Sequence, residues 1–378
     1  MQHLGAMPDN GAMHRFPSRR NFLAAAPAVY PLGGMAASEP KRRPSGFLTD
    51  VPGLQVGHFT HRKRPTGCTV VLAKQGAVAG VDVRGGGPGT RETDLLRPEM
   101  SVQEVHAVVL AGGSAYGLAT ADGVMRYLEE EDAGFRTSAG VVPIVPAAIL
   151  FDLGVGDGRI RPDAKSGYRA AKSARASSRE QGNVGAGAGA TVGKMFGARR
   201  AMKGGLGTAS LKLPGGLVIG ALVAVNAIGD VTDPESGEIL AGARSEDGRS
   251  LADSMARIRG GDTFGGDTFD GGKPGENTTI GVVAANVDWT QAQAPKVAQM
   301  AHDGLARAIR PAHMPFDGDT IFALGTGGQR VDGRLLGYAG ALAAEVVAQA
   351  VVSAVLHAKG IAGYPAWGDW RGTAGDAG

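Results

Sequence analysis

The chain has 378 residues, 43% of them hydrophobic and 20% charged, the composition of a folded protein and not of a disordered or membrane-embedded one. Glycine accounts for 62 residues, but without a Gly-X-Y period, which excludes collagen and places tight turns between apolar runs. The formal charge is +3. Residues 1–43 carry six Lys/Arg and two acids, a net +4, which leaves −1 for the remainder. The body therefore has no electrostatic footprint for nucleic acid. Cys68 is the one cysteine, so no intrachain disulfide can form, and its simplest role is that of a buried inert thiol.

The leader reads Ser18-Arg19-Arg20-Asn21-Phe22-Leu23, then a short Ala-rich stretch broken by Pro27 and Pro31, then Ala36-Ala37-Ser38. A twin arginine, a short apolar run and small residues resemble a twin-arginine export signal, which places the mature protein in the periplasm or outside the cell. Without such an export the protein is cytoplasmic. The apolar run is too short to span a bilayer, and no other segment is read as a membrane span.

From Thr49 onward, apolar β-branched runs alternate with glycine turns and Ala-rich stretches. Strands are expected at Cys68–Leu72, Ala77–Val83, Val105–Leu110, Leu217–Val225, Thr279–Ala284 and Thr320–Leu324. Helices are expected at Ala115–Glu130, Ala164–Ser178, Thr290–Ile309 and Leu336–His357, with Ser114 as a candidate cap for the first. Pro295 near the start and Pro311 beyond the end punctuate the third. Residues 241–276 are poor in apolar side chains and contain the echo Gly-Gly-Asp-Thr-Phe, and they read as a long polar loop.

That loop runs into Glu276-Asn277-Thr278-Thr279-Ile280-Gly281-Val282-Val283-Ala284. A β-hydroxy residue thus opens an apolar strand. Its hydroxyl can attack the preceding carbonyl, and after an N-to-O shift and hydrolysis Thr278 becomes a new N-terminus. Its α-amine, of pKa about 8, can then serve as the base that an alcohol nucleophile needs. Read alone, Asn-Thr-Thr is more often a turn into a strand.

Three other motifs lead nowhere. Gly185–Lys194 lacks the Ser/Thr after its lysine and has Ala188 where a phosphate loop needs its first glycine. Gly112-Gly113-Ser114-Ala115-Tyr116 has Tyr116 where a nucleophile elbow needs glycine. The eight histidines show no metal-binding spacing, so no metal or other cofactor is expected.

Several stretches occur together and in order: Thr49–His58, Thr66–Val71, Val83–Glu92, Leu110–Leu118, Gly185–Lys194, Asn277–Asn286 and Asp317–Phe322. In these the sequence resembles the P1-family, DmpA-type aminopeptidases and amidases, including the nylon-oligomer hydrolase branch, over roughly Leu48 to Ala358. The resemblance implies a four-layer α-β-β-α sandwich of the N-terminal-nucleophile type. It also implies one hydrolase domain from residue 44, cut into an α chain ending at Asn277 and a β chain beginning at Thr278. It makes Thr278 the nucleophile, Asn226 an oxyanion donor, Asp317 and Asp319 the acids that orient the new amine, and Lys194 a lysine lining the site. Phe151 stands where several relatives carry tyrosine, and Phe151 and Tyr116 are candidate pocket residues. Substrates implied are small peptides, amino-acid amides or ω-amino-acid oligomers, and the assembly implied is a tetramer of processed pairs. Acyl transfer of the ornithine-acetyltransferase kind, or an uncleaved binding protein on the same scaffold, are the alternatives.

Overall fold

The computed structural model describes residues 44–261, 276–361 and 363–374. The expected export leader, residues 1–43, falls outside them, as does the Gly-Gly-Asp-Thr-Phe echo from Asp262 onward. Nine strands form one continuous sheet: β1 (Gln55–Thr60), β2 (Gly67–Val83), β3 (Thr90–Arg91), β4 (Glu104–Ala111), β5 (Ala147–Ile149), β6 (Gly205–Lys212), β7 (Val218–Asn226), β8 (Thr278–Asp288) and β9 (Thr320–Arg330). Their order is β6-β7-β8-β9-β2-β4-β5-β3, with β1 against β2. The β8–β9 and β4–β5 pairs are parallel, the others antiparallel. Among the described residues, four helices have at least nine residues: α1 (Thr120–Glu130), α2 (Ala164–Lys172), α3 (Gln293–Ala308) and α4 (Gly333–Leu356).

The sheet folds back on itself through β2, 17 residues long. The first part of β2 pairs with β1 and β4, and its last part pairs with β9. The register shifts between Leu72 and Ala77, so the two predicted strands Cys68–Leu72 and Ala77–Val83 are one strand with an irregularity. Period-2 alternation then sorts the side chains into layers. Leu222, Ala224, Ile280, Val282, Phe322 and Leu324 pack with Val71, Val108 and Leu110 between the two halves of the sheet. The alternate residues Val223, Val283, Ala285, Ile321 and Ala323 pack against α3 and α4. On the far side, Val70, Leu72 and Val109 pack against α1 and α2. The result is the expected α-β-β-α order.

Local chemistry sets the helix ends. The Asp163 side chain caps α2 by accepting from Ser166 N at 2.9 Å. Asp332 caps α4 in the same way, from Leu335 N at 2.7 Å. The α2 helix stops at Lys172, short of the expected Ser178. The stretch before Thr120 is a 3-10 turn, Ser114–Ala119, in which Ser114 makes no cap. Residues 241–261 are less bare than expected: Ser254–Gly260 is a short helix, capped by the Asp253 carboxylate on Ala256 N at 2.9 Å. The α4 helix, 24 residues with an 18-residue stretch of mean hydropathy 1.8, is long and apolar enough to cross a membrane, contrary to the sequence reading. Most of it is buried as the core helix over β6 and β7.

Lys203 is fully buried, and its Nζ donates to the carbonyls of Gly187, Ala190 and Gly204, each at 2.9 Å. Burial pushes its pKa down to about 7, yet the three acceptors use all three N–H groups of the ammonium form. This lysine ties down the glycine-rich run that leads to Lys194. Lys203→Met would leave three buried acceptors unpaired, and a loss of about 3 kcal/mol or more in urea unfolding is expected. An unchanged midpoint would show that the carbonyls find other donors.

Candidate active site

Thr278 opens β8 and Asn226 closes β7, and the antiparallel register places the two directly opposite each other. Both have the parity of Leu222, Ala224, Ile280 and Val282, so both side chains project from strand ends toward the space between the sheet halves. Asn226 is wholly buried, and Asn277 and Thr278 are each about 1% exposed. The Asp317-Gly318-Asp319 run lies just before β9, the parallel neighbour of β8. An isolated parallel bridge joins Asn277 to Asp317.

The bond between Asn277 and Thr278 is held in a defined setting. Thr278 Oγ1 donates to the Asn277 carbonyl oxygen at 2.5 Å. The Gly318 backbone N–H donates to that same oxygen at 2.9 Å. A Cβ at position 318 would stand 2.7 Å from Thr278 Oγ1 and 2.9 Å from the Gly87 carbonyl oxygen, so only glycine brings its amide this close. Sequence reasoning missed Gly318; the signal that could have found it was a glycine between the two acids.

The two acids are used differently. Asp319 Oδ1 accepts from Thr279 N at 2.7 Å, and Oδ2 accepts from His313 N at 3.1 Å and from His313 Nδ1 at 2.8 Å. Asp317 Oδ2 accepts from Met314 N at 2.9 Å, while its Oδ1 has no hydrogen-bond partner among the described residues. Burial, and then the nearby Asp319 charge, push the Asp317 pKa up to about 7.

Asn226 is fixed as an amide. Its Oδ1 accepts from Thr191 N at 3.0 Å, which assigns Nδ2 as the donor to Phe151 O at 3.0 Å and, more distantly, to Glu276 O at 3.4 Å. Lys194 is half-buried overall, but its Nζ turns inward and donates to Asn226 O at 2.9 Å and Glu276 O at 3.3 Å. Burial lowers its pKa to about 7, against the pull of the Asp317 charge. Two side-chain donors thus converge on one carbonyl oxygen a residue before the Asn277–Thr278 bond.

A cavity of about 270 Å³ adjoins this cluster, lined among others by Phe151, Val155, Lys194, Glu276, Asn277 and Tyr364. Phe151 is therefore a pocket residue, and Tyr364 is one the sequence did not suggest. Tyr116 is not. It is 60% exposed, with the Arg161 guanidinium 3.6 Å over its ring. A larger cavity of about 350 Å³, between Asp230, Asp253, Arg259 and Arg310, contains none of the predicted site residues.

Comparisons with known proteins bear on the family and the fold. The model of Peptidase family S58 matches residues 47–366. An uncharacterized aminopeptidase of Mycobacterium leprae is 44% identical over 352 residues, 86% of this chain and 94% of the relative. A 6-aminohexanoate-oligomer endohydrolase of Kocuria sp. is 31% identical over 322 residues, 81% of this chain and 84% of the relative. Among solved structures, the L-aminopeptidase D-Ala-esterase/amidase of Ochrobactrum anthropi, described as a variant of the Ntn hydrolase fold, superposes with a TM-score of 0.62. It has 20% identity and covers 84% of this chain and 87% of that one. A Burkholderia sp. beta-aminopeptidase gives a TM-score of 0.61 at 21% identity, over 82% and 87% of the two chains. The folded-back sheet, the buried Asn-Thr junction and a family match spanning nearly the whole described body together make this chain a member of Peptidase family S58, a family of peptide-bond hydrolases.

Proposed function

We propose that this peptidase cuts itself between Asn277 and Thr278 and then hydrolyses amide bonds through an acyl-enzyme on Thr278. The observation that carries the reading is the junction itself, with the Thr278 hydroxyl and the Gly318 amide on one carbonyl oxygen at 2.5 and 2.9 Å. In the cut, Thr278 Oγ1 attacks the Asn277 carbonyl carbon, and Gly318 N–H stabilises the oxyanion. The C–N bond breaks as the hydroxyl proton passes to the leaving nitrogen. Water then hydrolyses the ester, giving a carboxylate on Asn277 and a free amine and hydroxyl on Thr278.

The same groups serve turnover. The α-amine takes the proton from the Thr278 hydroxyl, as a base placed beside its own nucleophile. Once Glu276 and Asn277 are free to leave, Asn226 Nδ2 and Lys194 Nζ can receive a substrate carbonyl oxygen in place of Glu276 O. The partly apolar cavity beside Phe151, Val155 and Tyr364 suits short peptides, amino-acid amides or ω-amino-acid oligomers. On this reading the Arg19-Arg20 leader exports the protein already folded.

The test is intact mass with N-terminal sequencing of the purified protein. Two chains, one beginning at Thr278, are expected; a single chain in active protein sinks the proposal. A pH profile follows from Asp317. Its carboxyl, with a pKa raised to about 7 in the uncut chain, must be ionised to hold the new amine, and that amine, of pKa about 8, must be neutral to act as base, so kcat/KM should fall as pH drops below about 8. The same shift acts on stability. A folded pKa raised above 3.8 favours the protonated fold, so this group's contribution is full below about 4 and is lost as pH rises through 7. An acid limb near 4 in the rate profile would show that neither Asp317 nor the amine sets it.

A further inference from the structure

We propose that His313 is a positioning residue for the nucleophile, acting through Asp319. The inference rests on the reading of Thr278 given above. His313 places two donors, its backbone N–H and its ring Nδ1–H, on the same Asp319 oxygen, at 3.1 and 2.8 Å. The other oxygen of Asp319 is thereby turned to the Thr279 N–H, at 2.7 Å. That N–H belongs to the peptide unit joining Thr278 to Thr279, so the brace ends on the nucleophile's own backbone.

The ring is held from behind as well. His313 Nε2 lies 3.4 Å from the carbonyl oxygen of His302, and the two imidazoles meet edge to face at 4.9 Å. His302 is fully buried, and its Nε2 is 3.0 Å from the Asp82 carbonyl oxygen. Asp82 in turn pairs with Arg84 at 2.8 Å. The charged and titratable groups around His313 are thus Asp319 and Asp317 on its own loop, His302 on α3, and Asp82 and Arg84 beyond it. The His313 backbone sits at φ +57°, a left-handed conformation that a residue other than glycine adopts only when its surroundings demand it. Here the demand is that amide and ring face one carboxylate oxygen.

This arrangement separates the roles of the two acids. Every oxygen of Asp319 is engaged in the brace, whereas Asp317 keeps one oxygen without a partner among the described residues. Asp319 therefore orients the backbone, and Asp317 keeps an oxygen with which to hold the new amine.

The experiment compares His313→Ala and His313→Asn in the full chain, with Thr278→Ala beside them. Asn tolerates left-handed backbone and offers a side-chain N–H where Nδ1 stood. His313→Ala is expected to slow self-cleavage and kcat roughly 10- to 100-fold with KM within about twofold. His313→Asn should recover most of both rates. Wild-type cleavage and kcat in His313→Ala would overturn the assignment, as would His313→Asn impaired to the same degree at an unchanged melting temperature. A cut or active Thr278→Ala would overturn the nucleophile itself. An uncut, inactive Thr278→Ala beside a wild-type His313→Ala removes only His313.

Discussion

Thr278→Ala is expected to remain one uncut chain and to lose amide-hydrolysing activity by about 10⁴-fold or more. The variant removes the attacking oxygen from both reactions, while the wholly buried Asn226 and the bridge between Asn277 and Asp317 stay in place. Thr278→Ser keeps an oxygen at the same position and should still be cut. The check is denaturing mass spectrometry together with turnover of an aminoacyl anilide. A Thr278→Ala protein that divides at the same bond, or hydrolyses at more than a trace of the native rate, would move the chemistry to another residue. Ser114 is then the first to consider.

Asp152→Ala should be the most destabilising change in the wall of the cavity, at about 3–5 kcal/mol. Asp152 and Arg64 form an ion pair at 2.9 Å with no exposed side-chain surface on either residue. The same carboxylate accepts from Thr66 Oγ1 at 2.6 Å and Gly113 N at 2.9 Å. Arg64 continues to Val155 O and Ile160 O, each at 2.7 Å. Removing the acid leaves a buried guanidinium without its counter-ion and the Gly113 amide without its acceptor, in a residue that also lines the 270 Å³ cavity. Urea unfolding in the Thr278→Ala background, where one chain unfolds, measures the loss. A shift below 1 kcal/mol would mean that water reaches Arg64.

Much of this molecule could be read from its sequence because the site is built at strand ends. Val218–Asn226 and Thr278–Asp288 are continuous apolar runs, the pattern of buried strands, and their register brings Asn226 to Thr278. The motifs that carried the family resemblance placed the sandwich and the acid pair. The edge strand β6 went unseen. Its sequence, GLGTASLK, is poor in β-branched residues, because α4 passes close over it: a Cβ on Gly207 would fall 2.0 Å from the Ala350 carbonyl oxygen. The small residues that weaken the strand signal are the ones that let the helix in. His313 and Asp152 were missed for a different reason. Neither stands in a periodic element, and their importance comes from partners such as Asp319 and Arg64, which a pattern search along the chain does not pair with them.

The interleaving of strands has a consequence for the life of the protein after a cut. β8 lies between β7 and β9, and β9 pairs with β2, so the pieces on either side of the Asn277–Thr278 bond share one ladder and one interior. Neither could leave without exposing α4, an apolar helix most of which is buried. A divided chain would hold together as tightly as the whole one, but its refolding would become a meeting of two molecules, dependent on concentration and prone to aggregation. If the proposed cut is made, the uncut form would be the one that folds as a single molecule, and the cut form would owe its durability to coming apart slowly.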